Sequence, residues 1–386
     1  MTAYQASSAE AYQKLGLTGD SVEAWEDGLR TDPDQTSFEW WYFDAHFDDG
    51  STLVVVFSTK PMLSPALPLT PRVTVNFDRP DGTHLVREID FAPDEFAAST
   101  TVCDVRIGPN RFVGDLDRYS IRVDDKGLTV DVTLERTTRS WRPATGHMYF
   151  DDGTDAGRKF FAYLPAVPDG QAEATVTVDG HSTHLSGTGY HDHNWGDAPM
   201  NELMHHWWWG RAKVGPFVVI TAFITAEQIY GGGTIPIFFL SRDGTVLSEA
   251  GHIGFAASPS YVDDYTGKPV AKRHRYEYSG PDGHFRVTWV RENDIFRLNL
   301  NDIFDGEQRD NALAAGYNPS YLRFTGTAKI ERLENGTPVE THTAPAIWDL
   351  MYFGQPQLPA DNPSPESAPT LDPPEATRSD DLSSER

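Results

Sequence analysis

The chain has 386 residues, with 39% hydrophobic and 23% charged, a folding composition long enough for two domains at ~100–200 residues each or for one unusually large sheet protein. Its 32 Lys and Arg against 57 Asp and Glu leave a net charge of −25, which repels a phosphate backbone and excludes nucleic acid as an expected partner. The single cysteine, Cys103, excludes an intramolecular disulfide and a Cys-rich zinc site.

The N-terminal stretch MTAYQASSAEAYQ lacks the basic start and apolar run of a signal peptide. The longest apolar stretch, Phe217 to Ile224, is too short to span a bilayer. A cytoplasmic protein without stable membrane insertion is expected. Residues 7–30 predict one or two short helices, carrying no obvious motif. Short alternating runs then predict strands at Ser51–Ser58, Arg72–Phe77, Thr129–Glu135, Ala174–Val178, Val218–Ile224, Phe285–Arg291 and Tyr321–Ile330. Asp-Gly pairs at 49–50, 81–82, 243–244 and 282–283 supply turns between them. Asp305–Ala315 predicts a further helical turn or two, and Gly231-Gly232-Gly233 a loop, because Thr234-Ile235-Pro236-Ile237-Phe238 after it reads as a strand rather than a phosphate-receiving helix. Cys103 lies in a strand-like stretch with no His near it, the pattern of a buried, inert thiol. From Gln355 the composition turns Pro-rich, then acidic and Ser-rich, and predicts disorder.

One segment repeats. Phe38-Glu39-Trp40-Trp41-Tyr42-Phe43-Asp44-Ala45-His46-Phe47, followed by a turn and Leu53–Phe57, has an echo in His205–Val214 with Gly215-Pro216 and Phe217–Ile220, beginning about 167 residues later. Both read as aromatic strand, tight turn, apolar strand, so two similar β-domains meeting near residue 200 are inferred. Strand alternation sets Trp41, Phe43, Ala45 and Phe47 on one face and Trp40, Tyr42, Asp44 and His46 on the other; likewise His205, Trp207 and Trp209 oppose His206 and Trp208. A mixed aromatic and polar face suits a strand interface or a ligand cavity, although core packing explains any single Trp equally well.

The densest chemistry is Gly187-Thr188-Gly189-Tyr190-His191-Asp192-His193-Asn194-Trp195-Gly196-Asp197, followed by Glu202, His205 and His206. His191 and His193 share a strand face, as metal ligands would, but no third ligand stands at a usual spacing, so no metal is expected. What remains is a structural hydrogen-bonding role, or one or two His acting as acid, base or donor in a pocket. No P-loop, dinucleotide fingerprint or Gly-x-Ser-x-Gly elbow occurs.

Glu39-Trp40-Trp41-Tyr42-Phe43-Asp44, Tyr163-Leu164-Pro165, Gly189-Tyr190-His191-Asp192-His193-Asn194-Trp195-Gly196 and Ile347-Trp348-Asp349-Leu350-Met351-Tyr352-Phe353-Gly354 resemble the carotenoid 1,2-hydratase and AttH-like superfamily over residues 35–355. The resemblance implies an all-β chain of two lipocalin-like antiparallel barrels packed side by side. The expected layout is a helical or irregular segment at 1–34, barrels at 35–200 and 201–355, and a disordered tail at 356–386. It also implies chemistry on large apolar small molecules without a cofactor, either hydration of polyenes and prenylated phenols or Diels-Alder ring closure in a pocket between the domains.

Hydration needs an acid to make a carbocation and a base to activate water. The resemblance implies that His193 and Trp195 would work there with a Tyr-x-Asp on a following strand, but that strand reads Val218-Val219-Ile220-Thr221-Ala222-Phe223 and offers no carboxylate. Glu39, Asp44 and Asp192 are the remaining candidates. A [4+2] cyclisation needs only a cavity that folds the polyene and a donor on the dienophile carbonyl. The expectation is therefore a cyclase with Tyr42, His193 and Asn194 as donors, Glu39 and Asp192 holding or polarising them, and Trp41, Trp195, Trp209, Trp348, Tyr190 and His191 shaping the pocket. A hydratase and a non-catalytic lipocalin-like carrier are the alternatives.

Overall fold

The computed structural model describes residues 1–354 apart from Asp20, 155–156, 249–250, Pro259, 304–305 and 315–316. The expected Pro- and Ser-rich tail lies outside the described residues. Alternating β-branched and aromatic residues build two large antiparallel sheets. Each curls around its own apolar interior, and its ladder runs as an open path from edge to edge, a half-barrel of the lipocalin-like kind.

The two sheets share one strand order. In the first, of 13 strands, the path enters through His84–Asp90, Arg72–Asp78 and Thr52–Ser58 to the first aromatic strand, Phe38–Phe47. It then jumps to the motif strand, His181–Gly196, and returns through Lys159–Val178 and Leu128–Arg136. In the second, of nine strands, Thr234–Arg242 and Phe217–Ala226 lead to the second aromatic strand, Met204–Val214, which pairs with the closing strand, Thr337–Tyr352, before the path returns through Ser320–Glu334 and Gly283–Asn299. In both, an aromatic strand meets the last long strand of its own sheet, so the sequence repeat corresponds to a repeat of topology.

The predicted strands all form, several inside longer ones. Ala174–Val178 ends the 20-residue strand Lys159–Val178, and the catalytic-looking motif is itself the end of a 16-residue strand. Pro165 and Pro168, which argue against a strand because they donate no N–H, sit where the register to the motif strand shifts, between Leu164 and Val167 and between Val167 and Gly170. The N-terminal helix is Ala9–Leu15, with the Ser8 hydroxyl accepting from Ala11 N at 3.1 Å and Gly16 closing it at φ 69°. A 3-10 turn, Ala24–Asp27, follows, and a helix forms at Gly306–Ala314. Thr2–Gln5, unforeseen, adds a strand to His147–Asp151.

Three apolar clusters result. One fills the first sheet and holds Trp41, Phe43, Phe57 and Leu134, and another fills the second with Trp208, Trp289, Trp348 and Phe324. The third takes Phe38, Phe161, Tyr163 and Tyr190 from the first sheet with Ile220, Ile224, Phe239 and Met351 from the second, and so lies between them. Gly210 allows the second interior its density, since a Cβ there would meet Trp348 Cβ at 2.8 Å.

Candidate active site

Alternation on the central strands decides which side chains reach the space between the sheets. Trp40 and Tyr42 of the first aromatic strand, Asp192 and Asn194 of the motif strand, and Phe161 and Tyr163 of Lys159–Val178 line one cavity. Trp207 and Trp209, Ala222 and Ile224, Ile237, Tyr321 and Asp349 close it from the second sheet, with Met148 completing the lining. It has about 690 Å³ of empty space including its mouth. Half of its lining residues are aromatic, and its polar groups are few and directed.

One chain of hydrogen bonds has a fixed sense. Trp209 Nε1 can only donate, and it donates to the Tyr163 hydroxyl at 3.2 Å. Tyr190 donates its one proton to Asp192 Oδ2 at 2.7 Å, and so accepts from the Tyr163 hydroxyl, 2.7 Å away. Asn194 Nδ2 donates to Asp192 Oδ1 at 2.6 Å. Burial nevertheless lifts the Asp192 carboxyl to about 7, against the pull of these donors. Asp349 is lifted to about 7 by the same cause, with Arg323 and the Tyr321 hydroxyl, which donates to Oδ2 at 3.3 Å, pulling the other way. The Tyr42 hydroxyl is different: among the described residues no group takes or gives it a hydrogen bond. Burial, with the Asp44 carboxylate adding to it, pushes the phenol well above its usual range, so it stays a neutral donor.

Of the residues expected at the site, Tyr42, Asp192, Asn194 and Trp209 line this cavity, and Tyr190 stands just behind it between Tyr163 and Asp192. Trp41, His191, His193 and Glu39 point the other way, into the first sheet's interior. His193 Nε2 donates to Glu39 Oε1 at 2.7 Å and its ring stacks on Trp41 at 4.7 Å. Glu39 also accepts from Arg30 N, Thr31 N and Thr31 Oγ1 at 2.7–2.8 Å. His191 sits between Tyr42 O at 2.8 Å and Asp27 Oδ2 at 3.1 Å, and although burial opposes its charge, Asp27 holds its pKa above the ordinary value. These bonds tie residues 24–31 into the first sheet. Trp195 lines a separate cavity with Trp25, Arg142 and His147, and Trp348 belongs to the second sheet's interior. His205 and His206 bond each other through Nδ1 atoms 2.7 Å apart, and burial drops His206 to about 3.

Sequence reasoning missed Trp40, Phe161, Tyr163, Trp207, Tyr321 and above all Asp349. The signal was present: Asp349 stands one residue from Trp348 on a strand, hence on the opposite face. The strand Phe217–Ala226 brings only Ala222 and Ile224, as read; the second carboxyl comes from the closing strand, paired to the other edge of Met204–Val214. For a metal, Asp27, Cys103 and His191 present ligand atoms within 4.8 Å of one another. Asp27 Oδ2 is already bonded to His191 and to the Tyr119 hydroxyl at 2.5 Å, and burial raises the Cys103 thiol well above its usual range, whereas a metal needs the thiolate.

An aromatic cavity between two repeated half-barrels, with directed donors, invites comparison with known proteins. Residues 113–287 match the Diels-Alderase-like family model. Among curated proteins the chain is similar to the quinolone epoxide rearrangement protein asqO of Emericella nidulans, 26% identical over 200 residues, covering 48% of this chain and 53% of that protein. The chain spans about half the length of the curated relatives it matches. Its fold is that of CghA, solved with Sch210972, at TM-score 0.60 and 15% identity over 86% of this chain and 96% of that one. It is also that of an AttH protein of Nitrosomonas europaea, at TM-score 0.55 and 14% identity over 88% and 99%. The resemblance and the lipocalin-like fold read from the motifs are borne out.

Proposed function

We propose that this chain is a cofactor-independent cyclase that closes a ring by [4+2] cycloaddition on a large, apolar polyene of polyketide or terpenoid type, bound between the two sheets. The observation that carries the reading is the Tyr42 hydroxyl, a donor without a protein partner on the wall of an aromatic cavity. A flexible polyene folded against Trp40, Trp207, Trp209 and Phe161 would be held as its reactive conformer, a contribution that reaches ~7–11 kcal/mol in favourable cases. Tyr42 would donate to the dienophile carbonyl, drawing electron density from it as the two new carbon–carbon bonds form. Asn194 and the donor chain fix Asp192 beside it. The similarity to an epoxide rearrangement protein and to the Diels-Alderase-like family supports ring-forming or rearranging chemistry.

The pair Asp192 and Asp349 favours a second reading, a hydratase. Two carboxyls with pKa values near 7 in one cavity can be one acid and one base at neutral pH, the first protonating an alkene carbon and the second taking a proton from water. The readings separate by mass. The metabolite that accumulates when the gene is deleted, incubated with the purified protein alone, should give a product of unchanged mass with fewer double bonds. A product heavier by one water would select the hydratase, and binding without conversion would leave a carrier.

A further inference from the structure

Beside the aromatic cavity lies a more polar one of about 450 Å³ including its mouth, and the two share Tyr42, Trp209, Tyr321 and Asp349. Two arginines line it. Arg211 is committed, since its guanidinium bonds Asp44 across the sheet interface. Arg323 is not: among the described residues no hydrogen bond or ion pair takes its guanidinium. Alternation on Ser320–Glu334 sends Leu322 and Phe324 into the second sheet's interior and turns Tyr321 and Arg323 toward the shared cavities. Asp349 stands opposite Arg323 in the ladder without pairing to it, and Asp349 Oδ1 is buried and also without a partner. His46, the other titratable side chain there, is held below its ordinary pKa by burial and is neutral.

The carboxylates of Asp349 and Asp44 keep the Arg323 charge favourable from a distance, but the N–H donors of a half-buried guanidinium that make no hydrogen bond are costly to leave unmade. Its planar array of donors matches two oxygens sharing one negative charge. We propose that Arg323 holds a carboxylate at one end of a substrate whose apolar body fills the aromatic cavity. This rests on the cavity being the binding site. It narrows the substrate class to amphipathic acids and sets the direction in which the polyene enters.

The probes are cis-parinaric acid, a conjugated tetraene carboxylic acid, and its methyl ester, titrated by fluorescence into the full chain at about pH 6, where Asp349 is mostly protonated and adds no competing charge. The acid should bind about tenfold or more tighter than the ester, the scale of one charge-assisted hydrogen bond. Arg323→Gln should erase that preference and leave ester affinity within about twofold, and Arg323→Lys should keep part of it. Equal binding of acid and ester by the wild-type protein, which needs no variant, overturns the subsite, as does a preference that survives Arg323→Gln. Ala222→Trp separates this from the underlying reading: if it blocks both probes the cavity stands whatever Arg323 does, and if both still bind, or the wild-type protein binds neither, the cavity falls and the subsite with it.

Discussion

Asp192 of the first sheet and Asp349 of the second face one cavity, and burial lifts both carboxyls to about 7. A carboxyl raised above its unfolded value binds its proton more tightly in the folded state, so its contribution to stability is complete below about pH 4 and is lost as pH rises through about 7. Asp349→Asn removes the cost of ionising that site. It should raise the thermal midpoint at about pH 8, by about 2–4 °C for each kcal/mol removed, and change it little at about pH 5. Calorimetry at both pH values checks the sign.

Tyr42→Phe deletes a hydroxyl with no protein partner, so the melting temperature should stay within about 1–2 °C of wild type. Turnover should fall by about 10²-fold or more, as when a single oxyanion donor is removed. Equal turnover in the two proteins would remove Tyr42 from the mechanism.

Tyr190→Phe and Trp209→Phe cut the same donor chain at different points. The first removes a direct bond to the Asp192 carboxylate and should cost about 1.5–3 kcal/mol at about pH 9, where Asp192 is ionised, the second a neutral bond one step further out, worth about 0.5–1.5 kcal/mol. Denaturant unfolding gives the order, and the reverse order would mean that the chain does not run from Trp209 to Asp192.

His193→Ala should act on folding rather than on chemistry. The imidazole is fully buried, so its removal leaves a cavity against Trp41 and takes one of the hydrogen bonds that the buried Glu39 carboxylate accepts, and a loss of about 3–5 kcal/mol is expected. Binding of an apolar probe to the cavity should survive in the folded fraction. A stably folded His193→Ala protein lacking turnover would instead place His193 in the reaction.

Much of this architecture is legible in the sequence because strand grammar is local. The aromatic repeat, the Asp-Gly turns and the alternation at Trp40–Phe47 state which residues share a face without any tertiary knowledge. What alternation does not state is which face meets the second sheet. The motif around His193 draws attention by its chemistry, yet Trp41 stacks on that ring inside the first sheet, while Tyr42 and Asp192, one residue away, face the cavity. Asp27 was equally illegible. Nothing in Ala24-Trp25-Glu26-Asp27 marks a residue that reaches across the chain to His191, because that contact exists only once the N-terminal segment docks. Asp349 belongs to the same class, since its partner Asp192 comes from the other sheet.

The most direct test of the cyclase reading is to run the conversion in deuterium oxide and again in oxygen-18 water, and to weigh the product. A [4+2] closure exchanges no atom with solvent, so the account predicts a product isomeric with its substrate and free of label at carbon in both solvents. A product carrying one solvent oxygen and a carbon-bound deuterium would contradict it and assign Asp192 and Asp349 to hydration.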